Sequence, residues 1–268
     1  MKLKDRVAII TGGGSGIGRA TSLAFAQEGA KVVVAARNLS RLEEVAQAIK
    51  AKGGQAKAIQ TDISDHEQIK RLVAQTIDEF GQIDVLVNNA AAMATNNAEM
   101  VDMNLDNWYH TLAVSLSGTM LCAREVLKNM IPRKSGNIVN VSSVAGLSGV
   151  PKEIPYATVK WGVIGFTETL AIEVGKFNIR VNSISPGSTL TKEFDEWIKR
   201  SAEAAGLTYE QVMAKLCDNN ALKRAAQPKE IANCIVFLAS DDSSAMTGAN
   251  LVASCGFHIT HPNMISMA

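Results

Sequence analysis

The chain has 268 residues, 47% of them apolar and 20% charged, with a formal net charge of +1. That balance fits one globular α/β domain with ample material for a core. The near-neutral charge offers no basic face for nucleic acid, and no run approaches the roughly eighteen apolar residues of a spanning helix, so neither nucleic acid nor a membrane is expected as a partner.

Residues 1–6 carry too few apolar side chains for a signal peptide. Residues 7–10, 32–34, 85–87, 138–141 and 181–184 then read as strands buried on both faces. Between them residues 16–28, 39–52, 65–80 and 106–130 read as helices. Ser40 is a candidate cap, residues 64–67 fit a capping box, and Gly29, Gly53 and Gly81 fall where helices stop. Strand-helix alternation from residue 6 to about 185 predicts a Rossmann-type doubly wound parallel β-sheet in a single domain, residues 1–268. One stretch, at about 188–220, breaks that rhythm as a helical insertion rich in large apolar residues, and is the candidate substrate lid. A helix over 228–240 and a short strand over 249–253 follow.

Cys122, Cys217, Cys234 and Cys255 are scattered, with no CxxC pair, and read as reduced thiols of a cytoplasmic protein. His66, His110, His258 and His261 form no zinc-binding pattern, so no metal is expected.

Thr11 ends the first strand, and Gly12-Gly13-Gly14-Ser15-Gly16-Ile17-Gly18 opens the first helix. Glycines there permit a tight turn and close approach of backbone to a pyrophosphate, which the helix N-terminus attracts. No Gly-Lys-Ser/Thr follows, so this is not a nucleotide-triphosphate loop. About twenty residues on, the second strand ends at Arg37 where an acidic residue would select NAD(H); a guanidinium there favours NADP(H) over NAD(H). Ser15 is not basic and weighs against that choice, and Arg37 also reads as a solvated residue at a helix start.

Tyr156 and Lys160 are four apart and share one helix face. Alone, YxxxK is a common surface pair. Thirteen residues earlier, Ser143 follows a strand end, and the three together form an acid-base set: Tyr156 exchanges a proton, Lys160 lowers its pKa, and Ser143 steadies charge on the substrate oxygen.

In this order of motifs the chain resembles the short-chain dehydrogenase/reductase family over almost its whole length, from Val7 to about Phe257. The resemblance implies that Gly12, Ser15, Gly16, Ile17 and Gly18 bed the cofactor's phosphates, that Asp62 and Ile63 lie near the adenine, and that Asn88, Asn89 and Ala90 line its ribose and pyrophosphate. It also implies that Lys160 holds the nicotinamide ribose, and that Pro186, Gly187, Ser188 and Thr191 cover the nicotinamide. Three departures stand out: Ala91 in place of glycine, Ser115 in place of the usual proton-relay asparagine, and Ser254-Cys255-Gly256 in place of Asp-Gly-Gly.

The expected activity is NAD(P)-dependent interconversion of a secondary alcohol and a ketone on a cyclic, aromatic or sugar-like substrate. Ala92, Met93, Ala94, Val144, Ala145, Leu147 and the segments 151–154 and 188–194 are candidate pocket walls. Two other readings stay open: a catalytically impaired nucleotide-binding or regulatory protein, kept alive by Ala91 and Ser115, and an epimerase or lyase on the same scaffold. The helices over 106–130 and 154–176 are apolar on more than one face, and in relatives of this family the equivalent helices pair, so a homotetramer is expected.

Overall fold

The structure, a computed structural model, describes residues 1–92 and 98–259. Met93, Ala94 and His261 among the candidates above lie outside the described residues. The chain forms a seven-stranded parallel sheet in the order β3-β2-β1-β4-β5-β6-β7. Its strands are β1 (Val7–Thr11), β2 (Lys31–Ala36), β3 (Gln55–Gln60), β4 (Val85–Asn88), β5 (Gly136–Val141), β6 (Ile179–Pro186) and β7 (Asn250–Ala253). Helices α1 (Gly16–Gln27), α2 (Leu39–Lys50) and α3 (His66–Phe80) connect the first four strands. Strand order reverses beside β1, which pairs with β2 on one side and β4 on the other. In an open α/β sheet the crevice at that reversal, at the C-terminal strand ends, is where ligands bind.

Central strands are β-branched and uncharged because both faces are covered. Ile10, Val32 and Val34 pack with Phe25, Leu42 and Ile235 on one side; Ile9, Val33 and Leu86 pack with Ile69, Leu72 and Met130 on the other. Each such burial is worth about 1.5–3 kcal/mol. The strand β3 escapes a search for apolar runs because it is an edge strand: Gln55 and Gln60 are exposed while Ala56 and Ile59 face the core.

Helix ends differ in detail from the sequence expectation. Asn38, not Ser40, caps α2 by accepting a hydrogen bond from the Arg41 N–H at 3.1 Å. Asp65 caps α3, accepting from Glu67 and Gln68, while Ser64 turns to Asp62. The helix expected over 106–130 is three pieces: α4 (Leu105–Leu112), a π turn (Ala113–Ser117) and α5 (Gly118–Arg133). Helix α6 (Ile154–Val174) is continuous. The insertion folds as α7 (Lys192–Ala205) and α8 (Tyr209–Cys217), packed on each other through Ile198, Ala202 and Val212. Helix α9 (Pro228–Ala239) leads back to β7.

Candidate active site

Ser143 follows β5 with extended backbone, φ −168°. Its hydroxyl accepts a hydrogen bond from the Ala145 N–H at 3.2 Å and so caps the short turn Val144–Gly146. That turn lies directly on α6: a Cβ on Gly146 would stand 2.7 Å from the Lys160 carbonyl oxygen. Ser142 pins the same spot, donating to the Lys160 carbonyl at 2.8 Å. The strand end is thereby fixed to the middle of α6, and the Ser143 hydroxyl lies close enough to the Tyr156 phenol to act on it. One turn along α6, buried Lys160 holds its Nζ 5.4 Å from the Tyr156 ring centroid and donates to the Val141 carbonyl at 2.9 Å. Side chains from the end of β5 and from one face of α6 therefore meet at the C-terminal end of the sheet.

Burial sets the electrostatics of both ionisable groups. It pushes the Tyr156 phenol up; the hydrogen bond from Ser143 pulls it back down, and the Glu153 carboxylate adds a further upward push. Burial also lowers the Lys160 ammonium from 10.5 to about 8. Without a cofactor in the cleft, desolvation is the largest influence on the phenol, and Lys160 directs a donor at Val141. An ammonium has three donors, and among the described residues Val141 is the one acceptor for Lys160.

The glycine turn lies across the cleft. The Thr11 hydroxyl accepts from the Asn89 and Ala90 N–H groups at 3.0 and 3.1 Å and donates to the Val87 carbonyl at 3.3 Å. The Asn89 amide donates back to the carbonyls of Thr11 and Gly12 at 3.0 and 3.3 Å. These bonds lock the loop after β4 onto the turn. Gly12 has φ +65°, and a Cβ on Gly18 would stand 2.1 Å from the Gly12 carbonyl, so neither position admits a side chain without displacement. Ser15 precedes α1 with its hydroxyl making no capping bond, which leaves the first N–H groups of the helix open toward the cleft. Ile17 packs on the core beside the turn.

The remaining candidates rim this cleft. Arg37 is exposed at the end of β2, and its carbonyl accepts from the Gln60 amide at 2.8 Å. Asp62 faces it: burial acts to raise its carboxyl, but hydrogen bonds from Ser64, then Arg37 and His110, outweigh that and hold it below the usual range. Ile63 is buried against Gly118 at the head of α5. Pro186 ends β6, and the Gly187 N–H donates to the Ala253 carbonyl at 3.1 Å. The Ser188 carbonyl accepts from the Ala226 N–H at 2.9 Å. Thr191 caps α7, and its Cγ2 would meet a Cβ on Gly16 at 3.1 Å, so the start of the insertion touches the glycine turn. Bare glycine backbone, an open helix terminus and the spare donors of a buried ammonium suit a dinucleotide spanning from Arg37 to Lys160.

Three candidates take a different place. The Asn88 side chain is buried and turned inward, donating to Asn140 Oδ1 at 3.0 Å, while Asn140 donates to the Thr167 hydroxyl at 2.9 Å. Ser115 sits buried in the π turn, and its hydroxyl accepts from the Ala92 N–H at 3.0 Å, so it holds the loop after β4 rather than facing open cleft. Ala91 is exposed and does not adopt positive φ, so its methyl strains nothing. Sequence reasoning passed over the Thr11 hydroxyl and the Asn88–Asn140–Thr167 chain. A polar residue closing an otherwise apolar strand marks Thr11, and a fully buried asparagine inside a strand marks Asn140.

Comparisons with known proteins match the chain over nearly its whole length. Residues 12–258 match the family described as enoyl-(acyl carrier protein) reductase. The chain is 38% identical to the 3-oxoacyl-[acyl-carrier-protein] reductase FabG of Thermotoga maritima, over 92% of this chain and 96% of that protein. It is 37% identical to the (2S)-[(R)-hydroxy(phenyl)methyl]succinyl-CoA dehydrogenase subunit BbsD of Thauera aromatica, over 96% and 97%. Among solved structures, levodione reductase superposes with a TM-score of 0.91 at 31% identity, covering 97% of this chain and all of that one.

Proposed function

Because this chain belongs to the short-chain dehydrogenase/reductase family, we propose that it is an NADPH-linked reductase of a ketone, or dehydrogenase of the matching secondary alcohol, with Tyr156 as proton donor and acceptor. The single observation that carries this reading is the meeting of Ser143, Tyr156 and Lys160 at the C-terminal edge of the parallel sheet, the edge that also carries the glycine turn after β1. The nicotinamide supplies the hydride. The chain's own groups do the rest. Ser143 donates a hydrogen bond toward the substrate oxygen and Tyr156 passes it a proton. The two spare donors of Lys160 hold ribose hydroxyls, and its charge, joined by that of an oxidised nicotinamide, offsets the burial that keeps Tyr156 protonated. Arg37 takes the 2′-phosphate, with Asp62 beside it orienting the guanidinium. A solved relative by structure, an actinorhodin polyketide ketoreductase at 29% identity, was determined with NADPH, which supports the same cofactor here.

The unstrained Ala91 favours the active reading over the impaired one. In this reading α7 and α8 close over the substrate. A homotetramer uses the open groove of about 550 Å³ between α5 and α6, lined by Met120, Leu127, Ile131, Phe166 and Leu170, with Trp161 and Ile172 exposed nearby. Four free cysteines fit a reducing, cytoplasmic setting. Among the described residues no helix is long and apolar enough to cross a membrane. The test is a screen of ketones and alcohols by nicotinamide fluorescence, with NADH and NADPH in parallel. Turnover of at least one carbonyl with NADPH preferred is expected; binding of both cofactors with no turnover of any substrate overturns the reading.

A further inference from the structure

One polar group beside Tyr156 has no role in the chemistry above. Glu153 is the residue at which α6 begins, three before Tyr156, and therefore on the same side of the helix as the phenol. It is half-buried, yet its side chain makes no capping bond, although a carboxylate at a helix N-terminus is well placed to do so. Its neighbour Lys152 pairs with Glu99 instead, at 3.2 Å. Among the described residues no side chain hydrogen-bonds or ion-pairs with the Glu153 carboxyl. The group is close enough to the phenol to act on it electrostatically, and its own carboxyl is pushed up by burial alone. A partly desolvated carboxyl without a partner is unfavourable unless something fills its acceptor sites. Beside Lys152, the flanking residues Val150, Pro151, Ile154 and Pro155 are apolar.

We infer that Glu153 is a specificity-determining residue that accepts a hydrogen bond from a donor group, a hydroxyl or an ammonium, carried on the same ring as the reacting carbonyl of the ketone. This rests on the ketone-reductase reading and narrows it. With the carbonyl oxygen between Ser143 and Tyr156, a substituent pointing toward the start of α6 meets Glu153 in an apolar surround. A donor there satisfies the carboxyl, a bare methylene leaves it unpaired, and a carboxylate is repelled by it. The site thus selects hydroxy- or amino-ketones and rejects keto acids of the same size.

The experiment compares kcat/KM for cyclohexanone, 2-hydroxycyclohexanone, N-methyl-4-piperidone and 3-oxocyclohexanecarboxylate with NADPH, in the wild type, Glu153→Gln and Glu153→Leu. Each result is expressed as a ratio to cyclohexanone, so that any general effect on Tyr156 cancels. The wild type is expected to favour the hydroxy- or amino-ketone at least about tenfold and to disfavour the keto acid. Glu153→Leu should bring the ratios toward one. Glu153→Gln separates the two donors: a hydroxyl preference survives it, an ammonium preference does not. Equal ratios in the wild type, a preference for the keto acid, or a donor preference that survives Glu153→Leu would overturn the inference. Calorimetric binding of cyclohexanol, 1,2-cyclohexanediol and N-methyl-4-hydroxypiperidine to the NADP⁺ complex reads the same preference without turnover. Absent turnover with intact donor selectivity in binding therefore counts against the reductase reading and not against Glu153.

Discussion

Replacing Lys160 by methionine tests the electrostatics of the site through stability alone. The amine is buried, donates one hydrogen bond to Val141, and loses protons at about 8 instead of 10.5. Below pH 8 both folded and unfolded chains hold this proton, and the full cost of burying the charge is present. Between about 8 and 10.5 the unfolded chain still holds the proton while the folded chain releases it. The unfolded state then binds more protons, so unfolding free energy rises with pH across that window. The full interval corresponds to about 3 kcal/mol, and the part between about pH 7.5 and 10 to about 2 kcal/mol. The assay is urea unfolding of the cofactor-free protein at those two values, wild type beside Lys160→Met. Other titrating groups cancel in the comparison, so the wild type should gain about 2 kcal/mol relative to the variant on going to pH 10. A relative gain below about 0.5 kcal/mol, or one of opposite sign, would refute the claim that Lys160 is held as a desolvated cation.

Other substitutions probe the cofactor cleft. Arg37→Asp should shift the NADPH/NADH selectivity toward NADH by at least about tenfold, the worth of one charge-assisted contact; an unchanged ratio of Kd values removes Arg37 from the 2′-phosphate site. Gly18→Ala places a methyl 2.1 Å from the Gly12 carbonyl, so fluorescence titration should show NADPH affinity falling at least about tenfold, with about 1–3 kcal/mol lost in stability; wild-type affinity would mean the turn does not bed the cofactor. Ser115→Ala leaves the buried Ala92 N–H without its acceptor and should lower stability by about 1–2 kcal/mol in urea; no measurable loss contradicts the anchoring role assigned to Ser115.

The parallel sheet was legible from its central strands because burial on both faces forces unbroken β-branched runs such as residues 7–10 and 32–34. The edge strand β3 was not, since it is only partly covered and carries Gln55, Lys57 and Gln60 among its few core contacts, Ala56 on one face and Ile59 on the other. Caps shifted by a residue or two, from Ser40 to Asn38 and from Ser64 to Asp65, because several neighbouring side chains could each take the role and loop geometry decides among them. The π turn at Ala113–Ser117 left no composition signal; it widens the helix by one residue where Ser115 must reach Ala92. Of the site, the spacing from Ser143 to Tyr156 and Lys160 was readable because a strand end and a helix face fix it. The electrostatic balance was not, because whether burial or a neighbouring charge prevails depends on depth, which has no sequence signature.

The most direct measurement is a single-turnover reduction by stopped flow, with NADPH labelled with deuterium at the transferring carbon and a ketone found in the screen. Wild type should move the label to the product alcohol, and Tyr156→Phe should bind NADPH with nearly the same Kd while reducing the ketone slower by about 10²–10⁴-fold. A Tyr156→Phe protein that transfers the label at the wild-type rate would contradict the assignment of Tyr156 as the group that supplies the proton.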